Sequence, residues 1–224
     1  MAYIVCAEEN QDLWIAHAPD LPGCFASKEN REAAIQAIPV AIDNYLDWCK
    51  KQGIRITGLS APMIVSEVIR SWEFEDGHMV HAFFASDRPP LVRAEINEFK
   101  LLLEATYADL LASVEEVDPA DTDKILPGER WSIEGILEHV AKSEWWCLDR
   151  LGLAFPRDGI PADAKLFLRE VHAHMLVMLP ELHKRGGVVV LAGETWSARK
   201  ILRRSLWHRR DHTAHINKLR ARLR

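Results

Sequence analysis

The pattern of hydrophobic and polar positions changes near residue 88. Before it, short apolar runs rich in β-branched and aromatic residues are separated by turn residues, which is typical of strands. The predicted strands are residues 2–8, 13–18, 24–26, 62–72 and 79–84. Among them, apolar residues recur at helical spacing between Ala34 and Cys49, so a helix is expected there, with a kink or a late start at Pro39. The N-terminal part therefore predicts an α+β fold in the order β-β-β-α-β-β.

After the pair Pro89-Pro90, only helical periodicity is found. Four helices are predicted, at residues 91–117, 132–153, 162–184 and 197–223. Helices of this length with short connections indicate an antiparallel four-helix bundle. The proline pair is also a boundary signal, so the sequence predicts two domains, an α+β domain at 1–88 and an all-α domain at 89–224.

A five-residue pattern occurs twice in the helical part. Residues 128–132 are Gly-Glu-Arg-Trp-Ser, and residues 193–197 are Gly-Glu-Thr-Trp-Ser. Both copies lead into a predicted helix, and Ser132 and Ser197 are placed as N-caps. The repeat favours a duplicated helical pair over the alternative, a good helix start that is used twice.

Composition and charge narrow the class of protein. The formal net charge of −5 gives no broad basic surface and argues against a nucleic-acid partner. No run of 18 apolar residues exists, so no membrane span is expected, and the N-terminus lacks the basic start of a signal peptide. Four cysteines without paired spacing fit a reduced, cytoplasmic setting. An edge strand in the N-terminal sheet would allow a homodimer.

Histidines on two predicted helices carry the candidate chemistry. His208, His212 and His215 are four and then three positions apart, which places them on one helix face. His139 lies on the apolar side of the second predicted bundle helix. Imidazoles from two helices can bind a first-row metal ion, so we expect His139, His208 and His212 to be ligands. The alternative is a bundle in which these histidines are only packed.

The spacing of the histidine pair also excludes one class of enzyme. A zincin needs a glutamate directly after the first histidine, and Arg209 stands at that position. We expect Glu144 and His215 to be the first candidates for proton carriers, although His215 could also be a fourth ligand or a pocket wall. Tryptophans are expected either to wall the same region or to pack in the core: these are Trp145, Trp146, Trp196 and Trp207.

Two segments carry a resemblance to a known family. WSIEGILEHVAKSEWWCLDRL and, much later, LWHRRDHTAHINKL resemble the DinB/YfiT-like four-helix metalloprotein superfamily, over about residues 89–224. In that family a histidine on the second helix and a pair spaced by four on the last helix bind a divalent metal, usually nickel or zinc. The resemblance implies that His139, His208 and His212 have this role. Many members have glutamine or another polar residue where this chain has His215.

The N-terminal part has a second resemblance. APDLPGCFASKENREAAIQAIPVAIDNYLDW is similar to the HicB-like antitoxin domain, over about residues 2–86, and residues 2–53 carry the likeness. No helix-turn-helix or ribbon segment for DNA binding follows, which argues against a toxin–antitoxin role. The resemblance implies a small module that supports dimerisation or recognises a ligand.

Two classes of function follow from these patterns. The DinB/YfiT-like family includes metal-dependent hydrolases and transferases that use low-molecular-weight thiols. The resemblance therefore implies a metal-dependent enzyme that acts on a small-molecule substrate. The alternative is a non-enzymatic module that binds a metal or a partner.

Overall fold

A computed structural model describes residues 2–56, 62–74, 79–115 and 117–223. The N-terminal region is rich in strands, and the rest is mainly helical, as the sequence predicts. The elements are β1 (Tyr3–Asn10), β2 (Leu13–His17), β3 (Phe25–Lys28), α1 (Arg31–Lys51), β4 (Met63–Arg70), β5 (Trp72–Glu73), β6 (Met79–Val80), α2 (Arg93–Glu115), α3 (Ile133–Asp149), α4 (Ala164–Lys184), β7 (Val189–Leu191), β8 (Glu194–Trp196) and α5 (Ala198–Leu223). Across the described residues, no helix is long and apolar enough to span a membrane.

A four-stranded sheet forms the N-terminal region, in the order β3-β2-β1-β4. The predicted strands at 2–8 and 13–18 form the antiparallel hairpin of β1 and β2, and β3 pairs with β2 in antiparallel fashion. Helix α1 begins after Asn30, whose side chain accepts a hydrogen bond from the Ala33 amide at 2.9 Å. Because α1 already runs through Pro39, the expected late start there is wrong.

The predicted strands at 62–72 and 79–84 pair with each other only at their ends, where Trp72 and Glu73 lie antiparallel to Val80 and Met79. Strand β4 pairs with β1 in parallel, and β5 pairs with β6 over two residues only. Residues 81–84 form no strand, and they place Ala82 and Phe84 in a buried cluster with Cys6. An alternating pattern does not specify which strand is its neighbour, and the helical connection through α1 allows the parallel pairing. The sequence Phe74-Glu75-Asp76-Gly77-His78 between these strands predicts a turn, and residues 75–78 of it lie outside the described residues.

The four predicted C-terminal helices are present as α2 to α5. Helix α3 packs against α4, and α2 also packs against α4. The apolar linker before the last helix is extended, and it forms β7, which pairs with β8.

Both copies of the repeated pattern cap a helix, as predicted. The Ser132 side chain accepts a hydrogen bond from the Gly135 amide at 3.0 Å, and Ser197 accepts one from the Lys200 amide at 3.1 Å. Gly128 and Gly193 have φ angles of +84° and +70°, a backbone conformation that glycine adopts at low cost. The repeat therefore encodes a glycine with positive φ and a serine cap twice.

The chain divides into two compact units. Unit 1 comprises Met1–Pro90 and Gly186–Trp207, and unit 2 comprises Leu91–Arg185 and His208–Arg224. Helix α5 therefore contributes residues to both.

A buried ionic network lies inside unit 1. Arg203 on α5 donates hydrogen bonds of 2.9 and 2.8 Å to the two carboxylate oxygens of Asp87 and one of 3.1 Å to the carbonyl of Ala82. Glu8 on β1 lies 2.9 Å from His17. Burial alone raises the pKa of Glu8, but the imidazoles of His17 and His81 and the charge of Arg203 outweigh it, so the pKa lies well below its ordinary value.

Candidate metal centre

Helix α3 positions the first candidate ligand. Its buried face carries Ile136, Leu137 and Val140, all fully enclosed, and His139 projects beside that face at intermediate exposure. The ring of Trp131, just before the helix cap, stacks on the imidazole of His139 with centroids 4.4 Å apart and planes 22° apart. His139 is therefore held in orientation by its neighbour in the turn.

Helix α5 brings two more imidazoles to the same point. The Nε2 atom of His208 lies 3.0 Å from Nε2 of His139 and 3.1 Å from Nε2 of His212. The three ligand atoms lie within 4.8 Å of one another. Within the part of the chain that the structure describes, this is the one group of three or more histidine, cysteine or acidic side chains with such geometry.

The three histidines fit a divalent ion by distance and by donor type. Ligand nitrogens at the Zn–N bond length around a tetrahedral ion are about 3.3 Å apart, close to the two Nε2 separations. Burial, followed by the charges of Arg130 and Lys142, lowers the pKa of His139. Burial, followed by the charges of His139 and His215, lowers the pKa of His212 to about 3. Neutral imidazoles are the form that binds metal, so the lowered pKa values of His139 and His212 favour metal binding.

Arg209, the residue after His208, holds helix α5 in one orientation relative to the neighbouring helices. Its guanidinium is fully buried and donates to both carboxylate oxygens of Glu144, at 2.5 and 2.6 Å. It also donates to the carbonyl of Leu103 at 2.8 Å and to Nδ1 of His172 at 3.2 Å. Arg209 thus links α5 to α2, α3 and α4.

His172 takes part in this arrangement as a neutral ring. It stacks on Tyr107 with centroids 3.9 Å apart. Burial, followed by the charge of Arg209, lowers the pKa of His172 to about 3. Its Nδ1 can therefore accept the hydrogen bond from Arg209, with the proton on Nε2.

The two candidate proton carriers lie outside the three-histidine cluster. Glu144 is buried and held by Arg209. His215 is partly exposed, and its Nε2 lies 2.8 Å from a carboxylate oxygen of Glu129, which also binds Arg222. The ring of His215 is 6.2 Å from that of His212.

The tryptophan beside the cluster is Trp131, which is not one of the four that the sequence offered as wall or core residues. Trp131 contacts both His139 and His212. Trp207 instead packs on the rings of His17 and Phe25 in unit 1. The sequence signal for Trp131 was its place directly before the Ser132 cap, eight residues before His139, which is about two helical turns.

Sequence reasoning did not identify Arg209 as a core residue. The available signal was its spacing: Leu202, Arg209 and Ile216 are seven apart, and all three side chains are fully buried. An arginine at a core-facing position needs buried partners, and Glu144 and His172 supply them.

A family model matches this chain, whereas no curated protein and no solved structure gives a significant match. A family model, that of the DinB superfamily, matches residues 102–216, from within α2 to within α5, which is just over half of the 224 residues. The matched stretch contains His139, His208 and His212. The chain therefore belongs to the DinB superfamily.

Proposed function

We propose that this protein binds one divalent metal ion, nickel or zinc, through His139, His208 and His212. The observation that carries the proposal is the convergence of three Nε2 atoms from two helices, with neighbouring separations of 3.0 and 3.1 Å. Three protein ligands leave a coordination position for a small molecule, as in catalytic metal sites. When bound, the ion would supply Lewis-acid chemistry to a substrate at that position.

The reaction class that we propose is a metal-dependent hydrolysis or a transfer to a low-molecular-weight thiol. The surrounding residues have distinct tasks in it. Trp131 covers one side of the ligands and excludes water there. Arg209 and Glu144 hold α5 against α3, so that the ligands keep their separation. His215, paired with Glu129, is the more accessible of the two candidate proton carriers.

A second candidate function is a binding module without catalysis. It is favoured by one observation: both oxygens of Glu144 accept hydrogen bonds from Arg209, which leaves this carboxylate poorly placed to exchange a proton. A site that binds metal but moves no proton would serve recognition of a metal or a partner.

The wider architecture is part of the proposal. We propose two domains, at 1–88 and 89–224, with a HicB-like fold in the first and an antiparallel four-helix bundle in the second. The N-terminal sheet in the order β3-β2-β1-β4, with α1 between β3 and β4, supports the first assignment. In this proposal the HicB-like part dimerises the protein or recognises a ligand, and the protein acts in the cytoplasm.

Metal analysis of the purified full chain tests the site. We expect about one nickel or zinc ion per chain by X-ray fluorescence and mass spectrometry, and near-complete loss in the His208→Ala, His212→Ala double variant. His174→Ala is the matched control, because this imidazole bonds to the carbonyl of Leu153 at 2.7 Å and takes no part in the cluster. Equal, negligible metal in all three proteins would refute the proposal.

Turnover separates the two candidate functions. The metal-loaded protein is incubated with glutathione or bacillithiol and an electrophilic acceptor, and with ester and amide substrates. Product formation that disappears in the double variant supports the enzyme. Stable metal binding without any turnover, together with a specific partner in pull-downs, supports the binding module.

A further inference from the structure

A pocket lies in unit 2, on residues that are not candidate metal ligands. The pocket has a volume of about 590 Å³, which is within the range of small-molecule sites. Its lining is mainly apolar, and it comes from the second half of α3, the segment after α3, and the start of α4. The side chains that matter are Lys142, Trp145, Trp146, Arg157, Ile160 and Phe167.

The walls of this pocket are held in place by contacts outside it. The indole Nε1 of Trp145 donates to the carbonyl of Phe155 at 2.9 Å. The ring of Phe155 packs edge-on against both Trp145 and Phe167, with centroids 6.4 Å apart in each case. Trp145 and Phe167 are buried among these neighbours. The aromatic surface is therefore in place before a ligand binds, so little conformational entropy is lost in ordering these side chains on binding.

The charges at the pocket are positive. The guanidinium of Arg157 lies over the ring of Trp145, with its carbon 5.5 Å from the ring centroid. No carboxylate among the described residues lies within ion-pair distance of Arg157, and its side chain is exposed. Lys142 pairs with Glu138 on the same helix, at 2.6 Å, and both side chains are exposed. An exposed pair of this kind contributes little, so the ammonium can turn to another anion.

From these features we infer that the pocket binds a small anion with an aromatic body, of the arylalkyl carboxylate class. The aromatic part packs against Trp145, Trp146 and Phe167, and the carboxylate pairs with Arg157 at the rim. Arginine suits this role because its planar guanidinium binds a carboxylate through two hydrogen bonds while it stays on the tryptophan face. The inference does not depend on the metal site.

The test is a titration of the full chain with 4-phenylbutyrate, followed by calorimetry and by tryptophan fluorescence. Bound metal is first removed by a chelator and dialysis, so that the carboxylate cannot bind at an ion. We expect saturable binding, with the neutral 4-phenylbutyramide about tenfold weaker because it lacks the charge-assisted hydrogen bonds. The His208→Ala, His212→Ala double variant should bind the carboxylate as the wild type does.

Matched variants locate the site. Arg157→Gln should weaken the carboxylate about tenfold and affect the amide much less, because the neutral amide makes no ion pair with the guanidinium. Arg169→Gln is the control, since Arg169 is an exposed arginine of α4 that pairs with Glu170. Trp146→Ala should weaken both ligands. Circular dichroism of each variant shows that the fold is kept.

Three outcomes would overturn the inference. The first is no saturable binding of the carboxylate. The second is equal affinity for the carboxylate and the amide, or binding that survives both Arg157→Gln and Trp146→Ala. The third is a dimer in sedimentation experiments. If Trp146→Asp dissociates this dimer and the carboxylate does not, the pocket is an interface between copies of this chain.

Discussion

Arg209 follows the candidate ligand His208 directly in the chain, yet its guanidinium is fully buried and joined to both oxygens of Glu144, at 2.5 and 2.6 Å. On a helix, adjacent residues project about 100° apart. One side chain of α5 therefore takes part in the histidine cluster while the next connects the same turn to α3. The ion pair of Arg209 and Glu144 therefore fixes the rotation of α5 about its axis. This rotation sets the direction in which His208 and His212 project.

Removing one partner of this pair should be costly. Glu144→Ala leaves a buried guanidinium without its counter-charge, and we expect a loss of about 3–5 kcal/mol in the free energy of unfolding. Urea denaturation measures it. Glu138→Ala breaks an exposed pair on the same helix and should cost less than about 1 kcal/mol. The double variant Glu144→Leu, Arg209→Met should recover most of the loss. An equal cost for the exposed and the buried pair would contradict the finding that Glu144 and Arg209 depend on each other.

The stability of the protein should fall as the pH drops below about 6.5. The folded state holds His172 neutral, with a pKa of about 3, whereas the unfolded chain takes up a proton near the ordinary value of 6.5. The unfolded state then binds more protons, and each such imidazole costs up to about 1.4 kcal/mol per pH unit between these two values.

Urea unfolding of the wild type and of His172→Gln at pH 7, 6 and 5 checks this. We expect the free energy of unfolding to change less steeply with pH in the variant, because the variant lacks the one proton that His172 takes up on unfolding. The His172 ring signals in nuclear magnetic resonance spectra should not shift between pH 8 and pH 5. A midpoint near 6.5 for this ring would show that the prediction is wrong.

His215→Gln should leave metal binding intact. The imidazole of His215 binds Glu129 and lies outside the three-histidine cluster, so its loss removes no ligand. We expect metal content and affinity within a factor of about two of the wild type, whereas His212→Ala should lose at least about 1.4 kcal/mol of binding free energy, or tenfold. Competition with a coloured chelator measures both. If His215→Gln releases the metal as His212→Ala does, His215 is a fourth ligand.

In unit 1, Arg203→Met should destabilise the protein by about 3–5 kcal/mol, because Asp87 and Glu8 would remain as buried carboxylates without their cation. Arg199→Met is the matched control. Arg199 donates to the carbonyls of Pro89 and Pro90 at the surface, so its loss should cost less than about 1 kcal/mol. Thermal and urea unfolding measure the difference, and similar values for the two variants would argue against the network.

The helices could be predicted from the sequence because their information is local. The apolar repeats of α2 to α5 and the serine caps at Ser132 and Ser197 each depend on a few neighbouring residues. Strand pairing depends on distant residues, and the parallel partner of β4 could not be predicted from its own alternation. The two-residue pairing of β5 and β6 also gives too short a pattern to recognise.

The candidate site shows the same division. His208 and His212 could be selected by their spacing, and His139 by its helix and the family resemblance. The partnership of Arg209, Glu144 and His172 was not predictable, because a basic residue in a basic helix is normally solvated and nothing local shows that it is buried. Only its seven-residue spacing from Leu202 and Ile216 distinguished it.

The place of Arg203 in the chain has a consequence for how the protein folds as it is synthesised. Asp87, its main partner, precedes it by 116 positions. Asp87 and Glu8 leave the ribosome well before α5, so these buried carboxylates cannot pair with Arg203 until that part of α5 has been made. Domains usually fold from the N-terminus as they emerge. Asp87 must therefore wait for a partner 116 positions later, so unit 1 completes its folding only after this part of α5 has been synthesised.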